Sequence, residues 1–249
     1  MRLEFAKTSL IGHRAENQDR VEIVRAKSSA LLIVVDGMGG HAQGAQASAA
    51  TVACLTSRFR EAGQPVLDPQ GFLISALSAA HDEVVALGSG ISVEKRPRAT
   101  CAVCLVQDAR IFCAHIGDSR IYQLRDGAIL YRSRDHSRVE LLLHEGVIQE
   151  QEVSTHPMRN FVECCLGGSE PLPDMSVAPS RRLRPRDVVL LCSDGLWSGA
   201  DENALLALSD SERDLNEALE ELARLAVEAN APNGDNTSAV AMRAIGASA

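Results

Sequence analysis

Residues 31–44, LLIVVDGMGGHAQG, carry five aliphatic side chains into an aspartate and then into a glycine-rich turn. Such a junction has two physical readings. Its glycines present backbone N–H groups to a phosphate at a helix start, or they let the backbone close in on something that Asp36 itself holds. A phosphate loop would carry GxxxxGK[ST], which this stretch lacks, and an acidic strand end would repel the phosphate. The stretch therefore reads as a strand, a carboxylate holding a cation, and a turn whose Gly37 carbonyl can serve as a further ligand.

The same junction recurs. FCAHIGDSR (112–120) runs into Asp118, VVLLCSDGLW (188–197) runs into Asp194, and NGDNTSAVAM (233–242) sets Asp235 just before an apolar run. A carboxylate at the end of an apolar strand is expensive to desolvate unless it is paired or bound to metal. Four of them imply strand ends that converge, and like charges packed together need a cation among them. With no His or Cys cluster alongside, the all-oxygen set suits Mg2+ or Mn2+, with one carboxylate bridging a pair of ions. The segment GHRAENQDR (12–20) adds Arg14, whose planar fork matches phosphate oxygens, and Asp19, which can fix water or pair with Arg14 or Arg20.

The bulk figures agree with a soluble α/β or α+β chain. Of its 249 residues 45% are hydrophobic and only 3% aromatic, so the core must be aliphatic and alanine-rich. A net charge of −8 argues against nucleic acid or an anionic membrane as partner. It leaves room for a small anionic group, because a bound metal reverses the local sign. No apolar stretch has membrane-spanning length and MRLEFAKTSLIGHR lacks a signal-peptide pattern, so the expected location is the cytoplasm. The seven cysteines lie mostly in apolar runs and read as buried thiols. Cys101 and Cys104 resemble a CxxC pair, yet on a strand they would face opposite ways.

β-Branched apolar runs predict strands at 21–25, 31–35, 101–106, 111–116, 121–124, 188–193 and 238–242. The short turns QDAR and RDG make the middle of the chain an expected antiparallel meander. Helical spacing predicts helices over 42–62, from an Asp68 cap with Pro69 first, and from Ser211 to about 230. Segment 132–172 has few strand signals and reads as an irregular or short-helix insertion over one end of the sheet. With no repeat or long linker, residues 1–249 read as one domain of mixed strands and helices.

Taken in order, GHRAENQD, VVDGMGGHAQG, GDSRIYQL, DHSRV with HEGVI, HPMRN and LGG, LLCSDGLW and GDNTSAV resemble the bacterial branch of the metal-dependent Ser/Thr protein phosphatases, type 2C. The resemblance runs from about residue 8 to about residue 242. It implies an α+β fold, an αββα sandwich of two antiparallel sheets flanked by helices, with the metal site at one end between the sheets. By position, Asp36 would bridge two Mn2+ or Mg2+ ions. Gly37 would ligate one through its carbonyl, and Asp194 and Asp235 would ligate the other. Asp118 with Asp194 would hold a third. Arg14 would bind the phosphate and Asp19 would organise metal-bound water.

The implied reaction is hydrolysis of phospho-Ser and phospho-Thr by activated water, without a covalent phosphoenzyme. The segment 132–172 would be the flap that influences substrate choice. Phosphorylated proteins, and a Ser/Thr kinase acting on them, are the implied partners of an expected monomer. Two departures stand out: Gln18 replaces a frequent Glu, and Met38 stands where many eukaryotic members have a histidine acid. That leaves a metal-bound water as the expected acid, with His41, His136 and His156 as further candidates. Two alternatives accompany this reading: a sensing or scaffolding domain with little turnover, and a hydrolase of another phosphomonoester.

Overall fold

The computed structural model describes residues 1–38, 42–153 and 155–246. Along the chain, β1 (Arg2–Leu10), β2 (Arg20–Arg25), β3 (Ser29–Val35) and β4 (Gly37–Met38) precede α1 (Ala42–Glu61) and α2 (Pro69–Leu87). Then come β5 (Arg98–Ala99), β6 (Cys101–Gln107), β7 (Arg110–Ile116), β8 (Arg120–Arg125) and β9 (Ala128–Arg132). Helices α3 (Arg138–His144) and α4 (Glu150–Val153) are followed by β10 (Leu166–Gly167), β11 (Ser176–Val177), β12 (Arg181–Arg182) and β13 (Val188–Cys192). Helices α5 (Asp194–Trp197), α6 (Glu202–Leu206) and α7 (Leu215–Ala229) lead into β14 (Thr237–Ile245).

One sheet has the order β1-β14-β13-β8-β9 and the other β11-β7-β6-β3-β2, with β12 also on β7; β10-β5-β4 form a small ribbon. Neighbours in both large sheets are antiparallel. Three apolar layers hold the assembly. Leu31, Ile33, Val103 and Leu105 pack under Leu55, Phe59, Leu73 and Leu77 of α1 and α2. Leu32, Val34, Cys104 and Ile111 face Ile121, Val189, Leu191, Val240 and Met242 between the sheets. Leu124, Leu190 and Ala241 meet Leu196, Leu219 and Leu222 on the far side.

This is the expected αββα sandwich. It also explains the continuous apolar runs. Strands β3 and β6 are buried at every position, because one face meets helices and the other meets the second sheet. Cys101 belongs to the helix-covered layer and Cys104 to the inter-sheet layer, as strand geometry requires. All seven cysteines are free thiols, with Cys104 Sγ 3.5 Å from Cys113 Sγ.

The structure corrects three details. The expected meander is two hairpins in different sheets: β6–β7 turns at Asp108–Ala109 and β8–β9 at Asp126–Gly127, all four residues with positive φ. Between them the chain crosses from one sheet to the other at residues 117–119. Strand β1 has no counterpart among the expected strands, since as a partly exposed edge it shows no clean apolar run. Helix α7 starts at Leu215 rather than Ser211, because Asp214 accepts hydrogen bonds from the Asn216 and Glu217 N–H groups. Helix α2 opens as expected, with Asp68 accepting from Gly71 N at 3.0 Å and Pro69 first. Among the described residues no helix is long and apolar enough to cross a membrane.

Candidate active site

Register brings the predicted aspartates to one end. Asp19 precedes β2 and Asp36 follows β3, and Arg20 pairs with Val35. In the other sheet Asp194 follows β13 and Asp235 lies just before β14, with Cys192 paired to both Arg120 and Ala239. Asp118 sits on the crossing between the sheets. The cluster therefore takes two carboxylates from each sheet and one from the link between them.

Backbone geometry makes the approach possible. A methyl group at Gly37 would run into the Gly44 carbonyl of α1 and lie 2.8 Å from the Gln18 carbonyl oxygen. Gly117 turns with φ +96° directly against Thr100, whose Oγ1 lies 2.7 Å from Ser119 Oγ. Thr100 N also donates to Asp36 O at 2.9 Å, so the crossing and the end of β3 share one anchor.

The electrostatics are those of crowded negative charge. Burial first, and then Asp19, Asp194, Asp118 and Asp235, push the Asp36 carboxyl well above its usual range. Burial and the neighbouring Asp118, Asp235 and Asp19 do the same to Asp194. Burial and Asp135 raise Asp118 to about 7, against the opposing pull of Arg120. Burial raises Asp19 to about 6, although hydrogen bonds from Ser193, Ser238 and Asp36 favour its charged form. Ser193 Oγ donates to Asp19 Oδ2 at 2.8 Å.

Arg14 donates to Asp235 Oδ2 at 2.6 Å. Their side chains are 54% and 38% exposed, so this is a surface ion pair worth about 0–1 kcal/mol, cheap to exchange for another anion. The turn that carries Arg14 is sewn down by Asn236. Its Nδ2 donates to the Ile11 and Glu16 carbonyls at 2.8 and 3.0 Å, and its Oδ1 accepts from Gln18 N at 2.8 Å. Ser48 of α1 adds a hydrogen bond to Gln18 O.

A cleft of about 570 Å³ opens above these residues, lined by Arg14, Asp118, Asp194 and Asp235 among others. Segment 132–172 supplies one wall through Ser137, Val139, Leu143, Glu150, Arg159 and Asn160. Its expected short helices are α3 and α4. His136 is at its base, with Nε2 2.8 Å from Ser176 Oγ, and His156 accepts from Met158 N; neither lines the cleft. His41 lies outside the described residues.

Sequence reasoning assigned no role to Arg120, Asp135, Trp197 or Asn236. Arg120 forks onto Asp135, with Nε–Oδ1 at 2.9 Å and Nη2–Oδ2 at 2.7 Å, and its guanidinium lies 3.6 Å from the centre of the Trp197 ring. Trp197 Nε1 donates to the main-chain oxygen of Asp118 at 2.9 Å. Each of these residues stands inside a motif already quoted, but no spacing rule pairs positions so far apart.

Whether the residues present fit divalent cations can be tested on the carboxylates themselves. Asp19 Oδ1 and Asp194 Oδ1 are buried without a hydrogen-bond partner, and an orphaned buried carboxylate oxygen calls for a cation or for a water held by one. The donor set is all oxygen, which matches hard ions. Among the described residues no three His, Cys, Asp or Glu side chains are already gathered as a ready ligand group. The residues fit.

Fold and cleft define an αββα-sandwich protein with a carboxylate-rich site where its two sheets meet. A family model described as protein phosphatase 2C matches residues 8–234. A 2C-type protein phosphatase of Streptococcus pyogenes is 32% identical over 223 residues, covering 88% of this chain and 89% of its own. The serine/threonine protein phosphatase PstP of Mycobacterium tuberculosis is 36% identical over 91% of this chain, which spans only 42% of PstP. Among solved structures, the S. agalactiae serine/threonine phosphatase superposes with a TM-score of 0.89 at 26% identity, covering 98% of this chain and 100% of that one. The PstP catalytic domain in complex with two manganese ions gives 0.81 at 31% identity, covering 98% and 99%. The chain belongs to the protein phosphatase 2C family.

Proposed function

We infer that this chain hydrolyses phosphoserine and phosphothreonine in proteins with water as the attacking group. The observation that carries this reading is the meeting of Asp36, Asp118, Asp194 and Asp235 from two sheets, with orphaned carboxylate oxygen beneath a cleft that also holds Arg14. The family relatives support the same activity.

Asp36, the Gly37 carbonyl, Asp194 and Asp235 would hold two Mn2+ or Mg2+ ions, and Asp118 with Asp194 a third. Bound there, such ions would supply Lewis acidity and make water acidic enough to attack phosphorus near neutral pH. Arg14 leaves its weak pair with Asp235 and takes the phosphate oxygens in its fork, spreading their charge. Asp19, held at Oδ2 by Ser193, keeps Oδ1 to accept a hydrogen bond from the attacking water. Met38 has no proton to give, so the leaving oxygen takes one from water.

Segment 132–172 acts as a flap on a single catalytic domain, since beyond Arg132, the last residue of β9, it walls the cleft without joining either large sheet. A monomer in the cytoplasm, opposing a Ser/Thr kinase on shared targets, completes the reading. An intact carboxylate set argues against a scaffold that has lost turnover.

The test is turnover of one peptide sequence in phospho-Ser, phospho-Thr and phospho-Tyr forms, with Mn2+ and with EDTA. Release of phosphate from the first two, in Mn2+ only, is expected. Full turnover in EDTA, or phospho-Tyr as the sole substrate, would overturn the reading.

A further inference from the structure

We propose that Trp197 is a positioning residue whose indole sets the separation between Asp118 and Asp194. The inference rests on the phosphatase reading of the cleft and names a residue that no motif role covers. Helix α5 is a single turn that begins at Asp194 and ends at Trp197, so the two side chains stand three apart on one face. The indole N–H reaches across to the main-chain oxygen of Asp118 at 2.9 Å. The ring face is held by Arg120, two residues beyond Asp118, at 3.6 Å from the ring centre. Arg120 in turn is fixed by its two-point bond to Asp135, in a pair whose side chains are only 14% and 6% exposed.

A tie of this kind is needed. Asp194 follows β13 of one sheet, while Asp118 sits on the crossing from the other. Both are carboxyl groups of the same cleft, and their charged forms repel one another. Trp197 grips the Asp118 peptide by its edge and the following arginine by its face, while its own backbone is one turn from Asp194. Movement of either residue's main chain away from the other would break a neutral hydrogen bond or unstack a guanidinium.

Trp197 is the only tryptophan in the chain, and Trp197→Phe removes the N–H while keeping a ring for Arg120 to cover. Mn2+ titration calorimetry would be run on the wild type, Asp118→Asn and Trp197→Phe, with no substrate present. The Mn2+ step lost in Asp118→Asn should weaken in Trp197→Phe by about fivefold, the worth of one hydrogen bond of about 1 kcal/mol. In turnover assays kcat should fall by a similar factor, with KM for phosphopeptide unchanged. An isotherm for Trp197→Phe identical to wild type would overturn the proposal, and so would identical isotherms for wild type and Asp118→Asn. Should Trp197→Phe fail to fold, Arg120→Lys decides, since it frees the ring face but leaves the indole. It should weaken the same step, and an unaltered isotherm would overturn the idea. If the wild type turned over no phosphopeptide, the phosphatase reading would fail while the isotherms would still decide the tie.

Discussion

Asp194 carries a buried carboxylate oxygen that no donor reaches, beside three other carboxylates. Such a group costs stability until a cation joins it. Asp194→Asn removes the charge at nearly constant volume, so the chelated protein should melt at a higher temperature than wild type by scanning calorimetry. Phosphopeptide turnover in Mn2+ should fall by about a hundredfold or more, as when a group that stabilises transition-state charge is lost. Arg14 behaves differently, because its partner bond is exposed and weak. Arg14→Ala should leave the melting temperature unchanged and raise KM for phosphopeptide about tenfold or more, the worth of a charge-assisted hydrogen bond. Steady-state kinetics checks it. At this scale Asp36, Asp118 and Asp194 were legible because each closes an apolar run, and Asp235 because it stands just before one. Trp197 was not, because its partner Asp118 lies 79 positions away and nothing local marks the pair.

Among the elements, the flap depends on its first residues. The His136 ring accepts a hydrogen bond at Nδ1 from Gly117 N and the His136 main-chain N–H donates to Gly117 O at 2.9 Å, while Glu163 N donates to His136 O at 2.8 Å. Burial and the nearby His115 lower the His136 imidazole to about 4, with Asp135 and Asp174 opposing. The folded protein thus keeps His136 neutral at pH values where the unfolded chain, with its imidazole near 6.5, already binds a proton. Stability from this group is full above about pH 6.5 and is lost as pH falls towards 4. Comparing wild type with His136→Gln isolates the effect from that of the carboxylates. The difference in melting temperature between the two should shift against the wild type through that window, and a constant difference would refute it. Helix α2 could be read from Asp68 and Pro69 because a cap is local chemistry. The division of the meander could not, since both hairpins have ordinary two-residue turns. Only the crossing at Gly117 sends β7 and β8 to different sheets.

For the whole molecule, cation binding and folding are linked equilibria, because the unfolded chain has no gathered carboxylates. Mn2+ at a hundred times its dissociation constant should stabilise the protein by about 2.7 kcal/mol, and EDTA should reverse this. Asp36→Asn should blunt the response, which denaturant melts with and without Mn2+ would reveal. The sandwich was foreseeable through the family resemblance; the runs themselves marked β3 and β6 as strands, and their full burial follows from being covered on both faces. The edge strand β1 was hidden because charged and hydroxyl side chains, Arg2, Glu4, Lys7, Thr8 and Ser9, interrupt its apolar residues.

The division of the acidic cluster between the two halves of the sandwich has a further consequence. Leu32, Val34 and Ile111 meet Val189, Leu191 and Met242 along the seam behind it. The spacing of the two sheets rests on those interior side chains, so residues that never see substrate help to hold the acidic groups in place. A seam substitution that alters this spacing should change turnover while every polar contact in the cleft keeps its residues.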